Sequence, residues 1–157
     1  MTKLSQFYDL AQRLNEGLGI QPLLYGSLGL QQRLGRELGA DDIDLLIPEV
    51  WLDRRWEELL GFLQQKGFCL YDLHEHAFMK ENISVAFASL ESLEEFAGID
   101  IAKIPEIRYN DICYLLLSLE DYRKVYIASS KDGYRKDKKH KNDAEKVALI
   151  EEAMGRS

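Results

Sequence analysis

The sequence predicts an α/β fold in which a mixed β-sheet is flanked by helices. Three observations carry this. An apolar stripe at helical spacing opens the chain, short apolar runs bounded by Gly, Pro and Asn alternate with longer helical patterns, and one strand alternates carboxylates with core-type residues. Taken in order, Leu4, Phe7, Leu10, Ala11, Leu14 and Leu18 form the first amphipathic helix, which ends near Gly17 or Gly19. Pro22 then opens a strand through Leu23, Leu24 and Tyr25. Leu28, Leu30 and Leu34 fit a helix after Gly26-Ser27, and Gly39 breaks it before the run from Asp41 to Ile47. Over 50–66 the apolar residues Trp51, Leu59, Leu60, Phe62 and Leu63 predict a crossover helix stopped by Gly67, with Trp51 and Trp56 as packing residues. Strands follow over 68–73, 74–80 and 83–88, with Glu81-Asn82 as a hairpin turn. His74 and His76 fall on one face of the middle strand, where a surface role outweighs metal binding. Residues 112–117 make one more strand or the start of a helix. Ser118, with Glu120-Asp121 beyond it, is a fitting N-cap for the next helix, and a last helix runs over 142–154.

With 157 residues and 46% hydrophobic content, the chain can bury one substantial core, so we expect a single domain over 1–157 with a basic helical segment over 118–157. The N-terminus lacks the apolar stretch of a signal peptide and no run is long enough to span a bilayer. Both point to a cytoplasmic protein with no membrane partner. Cys69 and Cys113 lie in apolar runs and are expected buried and reduced. The net charge of −7 is uneven: from Arg123 to Lys146 nine basic residues face four acidic ones, a local +5 that leaves −12 elsewhere. Such a segment suits a triphosphate or a nucleic-acid backbone, although no nucleic-acid motif accompanies it and its aromatic residues are too few for a stacking platform.

The chemistry concentrates in two short stretches. In Asp42-Ile43-Asp44-Leu45-Leu46-Ile47, strand alternation sends Asp42, Asp44 and Leu46 to one side and Ile43, Leu45 and Ile47 into a core. Two converging carboxylates repel unless a hard cation lies between them, and Mg²⁺, or Mn²⁺ in its place, takes one or two carboxylates together with phosphate oxygens and water. The Gly26-Ser27 turn supplies the phosphate side: glycine permits close backbone approach, and the first N–H groups of the following helix have no intrahelical partner.

Gly26-Ser27, an intervening helix and Asp42-Ile43-Asp44 together resemble the signature of the nucleotidyltransferase superfamily, whose fold is related to the DNA polymerase beta palm. The nearest likeness is to small single-domain proteins similar to lincosamide and aminoglycoside nucleotidyltransferases. Leu117 to Tyr122, then Lys139, Asp143 and the apolar run from Val147 to Ile150, is similar to that group's final helices, although His140 stands where a Lys-Asp-x-x-Asp element has its first Asp. The resemblance covers roughly residues 20–150. It implies a nucleotidyltransferase-like fold that binds a Mg²⁺-nucleoside triphosphate and transfers a nucleoside monophosphate to a hydroxyl of a small-molecule acceptor. Asp42 and Asp44 would be catalytic and metal-binding, Gly26 and Ser27 would hold the terminal phosphates, and Lys139 would neutralise phosphate charge or fix the C-terminal helix.

The resemblance also implies a third carboxylate on a neighbouring strand, where this chain has Ala86. Asp72, Glu75 and Glu91 are the weak candidates to replace it. Two further readings therefore stand beside the enzyme: a catalytically silent nucleotide-binding or regulatory module, and an antitoxin-like or RNA-associated protein working through the basic segment.

Overall fold

The computed structural model describes residues 2–131 and 138–155, with the backbone alone along 138–142. In chain order the elements are α1 (Lys3–Leu18), β1 (Leu23–Tyr25), α2 (Gly26–Leu34), β2 (Ile43–Ile47), α3 (Trp56–Gln65), β3 (Cys69–Asp72), β4 (Ala77–Lys80), β5 (Ile83–Ser89), α4 (Ser92–Ala97), β6 (Glu106–Tyr109), β7 (Ile112–Leu115), α5 (Leu119–Lys131) and α6 (Lys138–Ala153). The strands form one seven-stranded sheet in the order β3-β4-β5-β2-β1-β7-β6. It is mixed: β2 runs parallel to β5 and β1 to β7, while the remaining pairs are antiparallel.

The register sets the two faces. Ile43 pairs with Val85 and Val85 with Phe78, and all three are buried, so this face is the core on which Phe7, Leu10 and Leu14 of α1 and Leu59 and Leu63 of α3 close. Thr2 caps α1 by accepting from the Ser5 N–H, and Gly19 ends it in the left-handed conformation that costs glycine least. Asn15 fastens the helix end to the sheet. Its Nδ2 donates to the Ile20 and Cys113 carbonyls, and its Oδ1 accepts from the Cys113 N–H at 2.8 Å.

On the other side, Gly29 lets α2 come close to β1. A side chain there would collide with the Tyr122 hydroxyl and the Leu24 carbonyl, which are joined by a hydrogen bond of 3.1 Å. Arg33 of α2 donates to the Leu116 and Leu117 carbonyls. The Ser118 hydroxyl accepts from the Asp121 N–H and starts α5, as expected for its N-cap. These contacts fix α2 between the sheet and α5.

Several boundaries differ from the sequence reading. The helix after Gly26-Ser27 ends at Leu34 with Gly35 as its left-handed cap, so a loop, and not Gly39 alone, leads into β2. The helix expected over 50–66 is a 3-10 turn, Glu49–Leu52, followed by α3. The polar run Asp53-Arg54-Arg55 separates the two, offering no apolar side chain to continue a buried stripe. His74 and His76 lie in the turn between β3 and β4 and share no strand face; His76 has φ 48° and packs against Trp56. Of residues 112–117, the first four form a strand, β7 (Ile112–Leu115), while α4 and β6 have no counterpart in the sequence reading. Against the expectation of burial, Cys69 is exposed, because β3 is an edge strand, and Cys113 of β7 is half-buried; both are free thiols. Among the described residues, no helix is long and apolar enough to cross a membrane.

Candidate functional site

Antiparallel pairing sets Tyr25, the last residue of β1, opposite Asp44. The chain then turns directly into α2 at Gly26, whose φ is +64°. A Cβ on Gly26 would stand 2.6 Å from Asp44 Oδ2, so both the backbone conformation and the closeness of the carboxylate require glycine. No side chain caps the start of α2 at Tyr25, which leaves its first amide donors for a ligand or solvent. Gly26, Ser27 and Asp44 are thus brought together as the sequence reading expects.

Ser27 and Asp44 open onto a cavity of about 400 Å³. Ser27, Asp42 and Asp44 line it from the sheet end. The loop from Leu38 to Asp41 forms one wall, and Glu145, Lys146 and Leu149 of α6 form the other. Asp42 is exposed and Asp44 half-buried. Leu46, placed on the same face by alternation, is only 3% exposed: beyond Asp44 the central strand β2 is covered on both sides, so the open part of this face ends at the carboxylates.

Lys146 reaches across the cavity. Its Nζ donates to Ser27 Oγ at 2.9 Å and lies 5.1 Å from the centre of the Tyr126 ring. One turn earlier on α6, Asp143 is buried and accepts a 2.7 Å hydrogen bond from the Ser129 hydroxyl, joining α6 to α5. Burial pushes the Tyr25 phenol well above its ordinary pKa, and the Asp44 and Asp143 carboxylates add to the shift. Tyr126 is raised in the same way by burial, then by Tyr25, Asp143 and Asp44. Both phenols therefore stay protonated at neutral pH; they are hydrogen-bond donors beside the site and no proton acceptors.

The position where the resemblance implies a third carboxylate holds Ala86. In the parallel pair β2–β5, Asp44 is the register partner of Ala86, which pairs on its other side with Ala77. None of the candidate replacements lines the cavity. Asp72 is at the far end of the sheet and accepts from the Glu75 N–H, and Glu91 accepts from the Glu49 N–H. Among the described residues, no three His, Cys, Asp or Glu side chains gather closely enough to hold a metal unaided. The side chain of Lys139, expected to meet phosphate, lies outside the described residues. The sequence reading counted Lys146 within the basic segment but singled out Lys139, although Lys139, Asp143 and Lys146 follow the i, i+4, i+7 spacing of residues that share a helix face. Of the basic segment, Arg123 pairs with Glu151 at 3.1 Å and Lys124 with Asp121 at 3.9 Å, so part of its charge is met within the C-terminal helices.

No family model matches the chain. A curated relative, the uncharacterized protein YnaI of Bacillus subtilis (strain 168), is 38% identical over 150 residues, covering 96% of each chain. Three solved structures share the fold at low identity. ANT(2")-Ia, in complex with adenylyl-2"-tobramycin, has a TM-score of 0.60 at 17% identity, over 99% of this chain and 91% of that one. An antigenic nucleotidyltransferase-like protein from Paracoccidioides brasiliensis has a TM-score of 0.63 at 18% identity, over 93% of this chain and 73% of that one. The lincosamide antibiotic adenylyltransferase LnuA, lincomycin-bound, has a TM-score of 0.58 at 16% identity, over 96% and 98%. The chain therefore has a nucleotidyltransferase-like fold and belongs to the same family as YnaI of Bacillus subtilis.

Proposed function

We propose that this protein binds a nucleoside triphosphate with Mg²⁺ in the cavity between β2 and α6 and transfers a nucleoside monophosphate to a hydroxyl of a small molecule. The observation that carries this reading is the convergence of Asp42, Asp44 and Ser27 on one cavity, with Gly26 held against Asp44 by a backbone conformation that favours glycine. Two structural neighbours, ANT(2")-Ia and LnuA, were solved with an adenylylated antibiotic and an antibiotic acceptor respectively, which supports the reaction class.

The donor set fits a hard divalent cation. Four acidic side chains, Asp41, Asp42, Asp44 and Glu145, line the cavity against one described lysine, and carboxylate oxygens are the donors that Mg²⁺ and Mn²⁺ prefer. Asp42 and Asp44 would hold the ion, with phosphate oxygens filling its remaining positions. When bound, it would neutralise charge on the phosphates as pyrophosphate leaves. Gly26 admits the triphosphate to the amide donors at the start of α2, and the Ser27 hydroxyl sits beside them. In the reaction, the acceptor oxygen bonds to the α-phosphorus, the bridging bond to the β-phosphate breaks, and the hydroxyl proton must be taken up.

A second reading rests on where that proton goes. Ala86 beside Asp44 offers no carboxylate to receive it, and positioned general bases contribute roughly 10² to 10⁴ in rate. This favours slow transfer, or nucleotide binding in a catalytically silent, regulatory protein. Calorimetry with Asp42→Asn/Asp44→Asn tests the common core of both readings. Binding of a nonhydrolysable nucleoside triphosphate in Mg²⁺ should disappear in the double variant, and metal-dependent binding that survives would overturn the site. Release of pyrophosphate by the unmutated protein separates the enzyme from the silent module.

A further inference from the structure

We infer that Lys146 is the residue that grips the β- and γ-phosphates, so that the site selects ligands by their polyphosphate tail. The inference rests on the nucleotide reading above and assigns to Lys146 a phosphate contact that the resemblance implied for Lys139. Lys146 Nζ lies 2.9 Å from Ser27 Oγ, at the first turn of α2, and lines the same cavity as Asp42 and Asp44. An ammonium group only donates hydrogen bonds. Ser27 Oγ must therefore be the acceptor in this contact, which leaves its own hydroxyl proton to be given to an anion. One phosphate can then meet the Ser27 hydroxyl, the first amides of α2 and the Lys146 ammonium together.

The lysine is held in place before any ligand arrives. The Tyr126 ring lies under the ammonium at 5.1 Å, and Asp143, three residues back on α6, is anchored to Ser129 of α5. Tyr126 keeps its phenol proton, as burial requires, so it presents a neutral ring and no competing phenolate. Fixing a long side chain in advance reduces the rotamer entropy lost when phosphate binds. Asp42 and Asp44 on one side and Lys146 on the other thus divide the tail between a cation site and an ammonium, and the nucleoside itself contributes little to this contact.

The test is calorimetry in Mg²⁺ with ATP, AMP and inorganic pyrophosphate on the unmutated protein, Lys146→Met, Lys146→Arg and Asp42→Asn/Asp44→Asn, with circular dichroism confirming folding. Loss of a charge-assisted contact predicts about 10- to 100-fold weaker binding of ATP and pyrophosphate by Lys146→Met, with a smaller loss in Lys146→Arg and little change for AMP. Equal affinity of Lys146→Met for ATP and pyrophosphate overturns the inference; if the aspartate variant has meanwhile lost both ligands, the nucleotide reading stands without it. Lys146-dependent binding of pyrophosphate by a protein that does not bind ATP keeps the anion grip and removes the nucleotide reading. Binding of neither ligand by the unmutated protein overturns both.

Discussion

Asp44 and Ala86 are neighbours across the parallel pair β2–β5, and a methyl group stands beside the carboxylate on the face that opens to the cavity. Side chains of register partners point to the same side of a sheet, about 5 Å apart at Cβ. A carboxylate at position 86 would therefore project beside Asp44 without any change of backbone.

Ala86→Asp should accordingly tighten metal-dependent nucleotide binding by supplying a further oxygen ligand, and should raise pyrophosphate release by up to the roughly 10² to 10⁴-fold of a positioned base if an acceptor is present. Calorimetry and a pyrophosphate assay check the two effects separately. A folded variant with unchanged metal affinity would show that the carboxylate at 86 does not reach the ion. Robust turnover by the unmutated protein would show that a base other than an acid at 86 serves.

Gly26→Val should cost both binding and stability. A β-branched residue at φ +64° loses about 1–2 kcal/mol to backbone strain, and its Cβ must displace Asp44 Oδ2 from 2.6 Å. Gly35→Ala is the control. Gly35 also has positive φ, at +70°, but no atom lies within 4 Å of where its Cβ would stand. Urea unfolding should show both variants destabilised, whereas nucleotide affinity should fall in Gly26→Val alone. Equal affinity in a folded Gly26→Val would move the phosphate site elsewhere.

Alkaline pH should destabilise the fold through its tyrosines. Burial, the leading cause in each case, raises the pKa of Tyr25, Tyr114, Tyr122 and Tyr126 above the unfolded value of 10. For a group whose folded pKa is raised, the folded state binds more protons than the unfolded one between the two values. Stability is therefore full below pH 10 and falls as pH rises above it, by about 1.4 kcal/mol per pH unit for each such phenol. Of the eight tyrosines in the chain, these four should ionise only as the protein unfolds. Phenolate absorbance followed beside circular dichroism checks this; four phenols titrating near pH 10 in a folded protein would contradict the burial.

The sequence by itself determined the local parts of the site. Strand alternation at Asp44 and the glycine of Gly26-Ser27 are short-range facts of covalent geometry, whereas Asp42 precedes β2 in a bend and the antiparallel pairing of β1 with β2 is what sets the turn against Asp44. The N-cap at Ser118 was equally legible, because a cap is made within four residues. Where the reading failed, the deciding contacts were distant in sequence or depended on what covers an element. Cys69 is exposed because its strand lies at the edge of the sheet, a property of strand order that no local pattern encodes. Leu46 is buried although it alternates with the carboxylates, because other parts of the chain cover that face. The hydrogen bond between Lys146 and Ser27 joins residues 119 positions apart. Asp143 and Lys146 lie one helical turn apart, but only the packing of α6 against α5 decides that Lys146 meets Ser27.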